Sequence, residues 1–186
     1  SDNDDWSVSL SQSGEQGTRL LQVPSKLILS SKRIRKEMMS DDDKLLQVAL
    51  EHLENKNVQQ QIPQFFLWLK ILQEYEKGQS SDWYPWIQSL PRTFDTAVCM
   101  DNVEVESLPP FAWSLAKIES LHLEEFLEAL QMVDGLLCEE TQRNDDLTRW
   151  AFNVVFTRCW GEDSDDDDES ECDIVPMGDM FNHADP

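Results

Sequence analysis

Asp179, Asn182 and His183 fall within five positions near the end of the chain, a carboxylate, a carboxamide and an imidazole in one short turn. Together they offer hydrogen-bond donors and acceptors to a small polar ligand. They follow the apolar pair Ile174-Val175, which reads as a strand, and the run breaks at Pro176 and Gly178. Strand ends that spill into polar turns are common ligand-contact positions, because a rigid element aims the loop. The competing reading is that an Asn-His pair arises by chance and the His is a structural group. Arg158 is the second chemical feature. It lies at i+4 from Val154, on the side of a helix whose stripe is Leu147, Trp150, Ala151, Val154 and Val155. A guanidinium there needs an anionic partner or a wet cavity, since an unpaired buried charge is expensive. Alternatively it sits at the helix end and interacts with the last carbonyls.

The elements that must position these residues change character along the chain. Over 6–29 the pattern suggests strands: Trp6, Val8 and Leu10 alternate with Ser7 and Ser9, 13–17 reads as a turn, and Leu20, Leu21, Val23 and Leu27-Ile28-Leu29 supply further apolar runs. From Ser40 the period becomes helical, with Ser40 and Asp43 resembling a capping box. Leu45, Leu46, Ala49, Leu50 and Leu53 form one stripe. Pro63 suits a first helical turn, the aromatic-rich face Phe65 to Tyr75 follows, and Gly78 suits a left-handed stop. Residues 81–91 form a compact aromatic turn that either packs on the helices or offers a peptide groove. Thr96 to Val105 reads as extended, and Leu108-Pro109-Pro110 as irregular. Helices resume with Leu121, Phe126, Leu127, Leu130 and Val133, and a last helix runs from a cap at Asp145 to Trp160.

Between that helix and the terminal turn lies the acidic run Glu162 to Asp173, nine acids and no base. As a calcium loop it fails: Asp168 stands where the turn needs Gly, and Ile174 where a bidentate Glu belongs. A solvated loop is expected, with Ser164 and Ser170 open to an acid-directed kinase.

The 186 residues are enough for one domain with a real core, and the 40% apolar share with seven Trp fits a globular protein. With 15 basic and 37 acidic residues the formal charge is −22, which repels phosphate backbones and argues against nucleic-acid binding. No window reaches the roughly 18 apolar residues of a membrane helix. Cys99, Cys138, Cys159 and Cys172 make no C-x-x-C pair, so neither a zinc framework nor a disulfide scaffold is expected, and no metal site is assigned. Reduced thiols fit a cytoplasmic or nuclear setting. The chain opens without Met and stops just after its best motif, so a fragment is expected and a plastid address stays open.

Four stretches converge on one family. The segment Gly17-Thr18-Arg19-Leu20-Leu21-Gln22-Val23-Pro24, continued by 27–30, is similar to an early strand of the SET-domain protein methyltransferases. Residues 81–91 resemble the family's Trp, Pro and Leu-Pro turn. Trp150 through Val154 to Trp160 resembles its helix ending in a small polar residue, Arg and an aromatic. Val175 to His183 is close to its Asp-Met-x-Asn-His signature. Within the family, the chain resembles the class typified by the plastid Rubisco large-subunit methyltransferase.

The resemblance implies an α+β fold, SET-type small β-sheets interrupted by a large helical insertion and truncated at the C-terminal end. In that scheme 1–186 is a partial SET domain: 5–32 the N-terminal strands, 33–149 the insertion, and 150–186 the start of the C-terminal SET portion with the acidic loop 161–173. It also implies methyl transfer from S-adenosyl-L-methionine to a lysine of a protein substrate by a monomer. Arg158, Asn182 and His183 would bind the cofactor, and Asp179 would line the substrate side. A planar guanidinium suits a carboxylate. Lysine titrates near 10.4, so the acceptor must lose its proton first, and a partly apolar channel favours that loss. Two departures stand out. Asp5-Trp6-Ser7 occupies the family's Gly-x-Gly slot, and the family's tyrosine has no match before Pro186, since Tyr75 and Tyr84 lie in the insertion. The alternative is a non-catalytic, acidic SET-like protein-interaction module.

Overall fold

The computed structural model describes residues 11, 15, 17–39, 44–133, 135–162 and 171–181. Trp6, Val8, Leu10, the Ser40–Asp43 box, the centre of the acidic run, Asn182 and His183 lie outside them. In chain order the elements are β1 (Leu29–Ser30), α1 (Ser31–Met38), α2 (Lys44–Asn55), α3 (Ile62–Lys77), α4 (Tyr84–Ser89), α5 (Asn102–Glu106), α6 (Pro110–Gln131), α7 (Glu139–Gln142), α8 (Asp145–Arg158), β2 (Trp160–Glu162) and β3 (Glu171–Ile174), with 3-10 turns between some of them. The architecture is α+β, mostly helical with one small antiparallel sheet of order β1-β3-β2. Its register sets Leu29 opposite Ile174 and Trp160 opposite Asp173. The sheet therefore joins the start of the described chain to its end.

α3 is the axis of the core. Phe65, Phe66, Leu67, Trp68, Leu69, Ile71 and Leu72 are all buried, so its apolar surface runs around the helix rather than along one stripe. It packs against α1 on one side and α8 on another. Phe65 meets Phe126 edge-on at 5.1 Å, Phe126 meets Phe152 at 5.7 Å, and Phe152 stacks on Phe156 at 4.1 Å. The Trp68 indole donates to the Thr148 carbonyl at 2.9 Å, satisfying the polar atom that burial of the ring would otherwise strand. One charge enters this core. Glu74 is buried and accepts from Lys77 at 2.6 Å and from Ser81 Oγ at 2.8 Å, with Lys70 at 3.1 Å. Burial pushes its carboxyl upward, and the bonds from Lys77, Ser81 and Lys70 outweigh that and hold it below the usual range.

Several expectations change. Leu20 and Leu21 are exposed and pair with no strand among the described residues, and the N-terminal ladder there shrinks to β1. An apolar run needs a neighbouring edge to become a strand, and among the described residues Leu20 and Leu21 reach none. Helix begins at Ser31, directly after β1. Thr96 to Val105 is not extended: a 3-10 turn covers Ala97–Cys99 and α5 follows. Asp101 accepts from the Glu104 amide while Glu104 accepts from the Asp101 amide, both at 2.8 Å, a reciprocal capping box. That box outweighs the β preference of Val103 and Val105. Asn144, not Asp145, caps α8, and the helix stops at Arg158 so that Trp160 starts β2. Gly78 does end α3 with a positive φ of 53°. The aromatic turn at 81–91 contains α4, with Trp86, Ile87 and Leu90 in the core.

Candidate functional site

The sheet and α8 bring two of the four candidate residues together. β3 ends at Ile174, and the chain then folds into a tight turn in which the Asp179 amide donates to the Val175 carbonyl at 3.0 Å. A Cβ on Gly178 would lie 3.0 Å from Val175 Cγ1, so any larger residue there would press on the Val175 side chain. Met177 takes a positive φ of 70° to make the bend. This geometry aims Asp179 inward. Its side chain is 0% exposed, and Arg158, at the last position of α8, is 16% exposed. Arg158 Nη1 donates to Asp179 Oδ2 at 2.9 Å and to the Asp179 carbonyl at 3.3 Å. The Trp86 indole N–H donates to the same Oδ2 at 3.1 Å.

Of the alternatives open for Arg158, the structure takes the one with an anionic partner, and that partner is Asp179 of the same chain. The pairing is one-sided. Arg158 Nε and Asp179 Oδ1 are both buried and have no hydrogen-bond partner among the described residues. An N–H left unpaired in this setting costs about 1–3 kcal/mol, so the site holds a donor and an acceptor with capacity to spare. A ligand bearing both an acceptor such as a carboxylate and a donor such as an ammonium would match them. S-adenosylmethionine carries both kinds of group at its amino-acid end.

A second polar cluster joins α2 to α6. His52 Nε2 lies 2.8 Å from Glu125 Oε2 and 3.5 Å from Glu128. Lys56 Nζ lies 3.0 Å from Glu125 and 3.4 Å from Glu128. The three possible ligand atoms of His52, Glu125 and Glu128 sit within 4.8 Å of one another, a spacing that a metal ion could use. The Lys56 ammonium already occupies both carboxylates, and its hydrogen bond with Glu125 raises its pKa.

No family model matches the chain. It is 26% identical over 178 residues to Protein SET DOMAIN GROUP 40 of Arabidopsis thaliana, a match covering 92% of this chain and 33% of that protein. It is 31% identical over 134 residues to the ribosomal lysine N-methyltransferase set10 of Schizosaccharomyces pombe, covering 69% of this chain and 24% of that protein. These likenesses support a SET-domain methyltransferase. The chain matches about a third and a quarter of the two SET-domain relatives' lengths.

In SET-domain terms, Arg158 and Asp179 come from separate signature stretches and meet in the fold. Asn182 and His183 lie outside the described residues. Trp86 was missed as a site residue because its neighbours mark it as core. The one chemical hint was general: a buried indole N–H needs an acceptor.

Proposed function

We propose that this chain is part of the catalytic unit of a protein lysine N-methyltransferase of the Rubisco-methyltransferase-like class, using S-adenosylmethionine. The observation that carries this reading is the buried Arg158–Asp179 pair with an unpaired donor and an unpaired acceptor, set in a chain whose relatives are named for SET domains and lysine methylation. The scheme of N-terminal strands, helical insertion and C-terminal portion is part of the same proposal, as is a cytoplasmic or nuclear setting.

When bound, the cofactor supplies a sulfonium methyl group that is already activated. The chain's own work is then positioning. Arg158 Nε would take the cofactor's carboxylate while Nη1 keeps Asp179 fixed, and Asp179 Oδ1 would accept from its ammonium. Trp86 holds Oδ2 and so orients the remaining oxygen. By the family resemblance Asn182 and His183 would complete the cofactor contacts. In this arrangement Asp179 acts on the cofactor side rather than the substrate side. The burial around the pair lowers the local dielectric and strengthens each of these bonds. The protein substrate, by extension from the relatives, presents a lysine.

The second reading, an acidic interaction module without catalysis, draws on the fact that Arg158 already has a carboxylate partner. Calorimetry with S-adenosylmethionine on the full-length protein separates the two. Binding is expected, and Arg158→Ala and Asn182→Ala should each weaken it at least tenfold. No binding, or binding indifferent to both substitutions, would leave the module as the surviving account.

A further inference from the structure

α6 is longer than the core that it serves. Its C-terminal half is covered on two sides: Phe126 meets Phe152 and Phe156 of α8, His122 meets Phe156, and Glu125 meets His52 of α2. The ring contacts run antiparallel along α8, which stops at Arg158, while α6 extends back to Pro110. Phe111, Leu115, Ile118, His122, Glu125 and Ala129 recur at alternating steps of four and three, the spacing of one helical seam. Glu125 and Ala129 are buried in it, and His122 is half-buried. Its N-terminal part is open: Phe111 is 77% exposed, Leu115 47% and Ile118 48%. The same stripe thus begins in solvent and ends in the core. Successive large apolar side chains on one exposed face differ from the scattered exposure of an ordinary surface, and mark a place where another element docks.

We propose that the N-terminal half of α6 docks an amphipathic helix of a partner protein, apolar on one face and rich in lysine and arginine beside it. The period sets the shape, since an apolar seam along a helix is matched by a second helix laid against it. Charge sets the chemistry. From Asn102 to Gln131 the chain carries Glu104, Glu106, Glu119, Glu124, Glu125 and Glu128 against one lysine, Lys117. That lysine is already engaged, 3.6 Å from Glu106 and 5.6 Å from the centre of the Trp113 ring. Glu119 stands four positions after Leu115, at the edge of the seam, and Glu104 and Glu106 are exposed on α5, which packs on α6. A second copy of this chain would bring the same acids, and with −22 on each copy self-pairing sets like charges together. A basic helix covers the apolar residues and meets the acids beside them. The inference stands apart from methyl transfer, since neither Arg158 nor Asp179 enters it.

The test titrates the full-length protein into a fluorescein-labelled synthetic peptide with leucine at heptad seam positions and lysine elsewhere, read by fluorescence anisotropy. Binding about tenfold tighter than that of a scrambled peptide of the same composition is expected. A leucine–glutamate peptide of the same pattern should not bind. Leu115→Glu/Ile118→Glu, checked for fold by circular dichroism, should weaken binding of the leucine–lysine peptide about tenfold even though it adds negative charge. Equal binding of the scrambled or the glutamate peptide, or a double variant that binds like the unmodified protein, would overturn the proposal. So would sedimentation equilibrium showing a dimer that the double variant dissolves, because a second copy would then be the occupant. The comparison of peptides needs no variant to fold.

Discussion

Two of the buried ionic clusters among the described residues are built to opposite plans. At the α2–α6 junction, Glu125 is held by His52 on one oxygen and Lys56 on the other. Both carboxylate oxygens are used, and Glu128 at the wet rim shares the same two partners. At the junction of α8, α4 and the turn after β3, Asp179 receives Trp86 and Arg158 on the same oxygen and, among the described residues, nothing on the other. A closed network specifies packing and has no further binding capacity. An open one keeps unmet hydrogen bonds inside the protein, which stability alone would not favour.

Breaking the open pair should have the largest effect. Asp179→Ala leaves the Arg158 cation buried without its carboxylate, and a loss of about 3–5 kcal/mol of stability is expected from denaturant unfolding. The double substitution Arg158→Met/Asp179→Ala should recover much of that loss while removing cofactor affinity. A double variant as unstable as the single one would show that the charge pair is not the cause. In the closed network, Glu125→Gln should cost about 1–3 kcal/mol and leave cofactor affinity unchanged. An affinity loss there would erase the distinction between the clusters. Trp86→Phe keeps the ring and removes one donor, so about 1 kcal/mol of stability should go, with cofactor affinity falling as Asp179 loses its orientation.

The smallest effect concerns acid. His122 stacks on Phe156 at 6.2 Å, and burial lowers its pKa. The unfolded chain therefore takes up a proton near the ordinary value of 6.5 before the folded one does. Stability is fully present above that value and declines as pH falls below it. Glu74, whose carboxyl is held low, adds a loss at lower pH still. Thermal unfolding of His122→Gln between pH 7.5 and 5.5 should show a shallower decline than the unmodified protein; equal slopes would remove His122 from the account.

Local signals in the sequence carried the helices well and the site only halfway. The stripes at Leu46, Ala49, Leu50 and Leu53, and at Trp150, Ala151, Val154 and Val155, are buried as their period demands. Arg158 on such a stripe announced that an anion was needed, but not which one. Its partner is 21 residues away, across a hairpin and a turn that no local pattern specifies. Trp86 and Asp179 are 93 residues apart. The capping box at Asp101 and Glu104 was legible and lost to the valines beside it. Leu20 and Leu21 failed in the opposite way, since strand propensity cannot supply a partner edge.

The direct test of the central contrast is nitrogen-15 NMR of the arginine Nε–H groups during titration with S-adenosylhomocysteine. The account predicts that the Arg158 Nε–H resonance shifts strongly and gains protection from exchange as it meets a carboxylate, while the His52 ring and Lys56 signals stay in place. An Arg158 resonance that does not move at saturating ligand, or a response centred on His52 and Lys56, would contradict it.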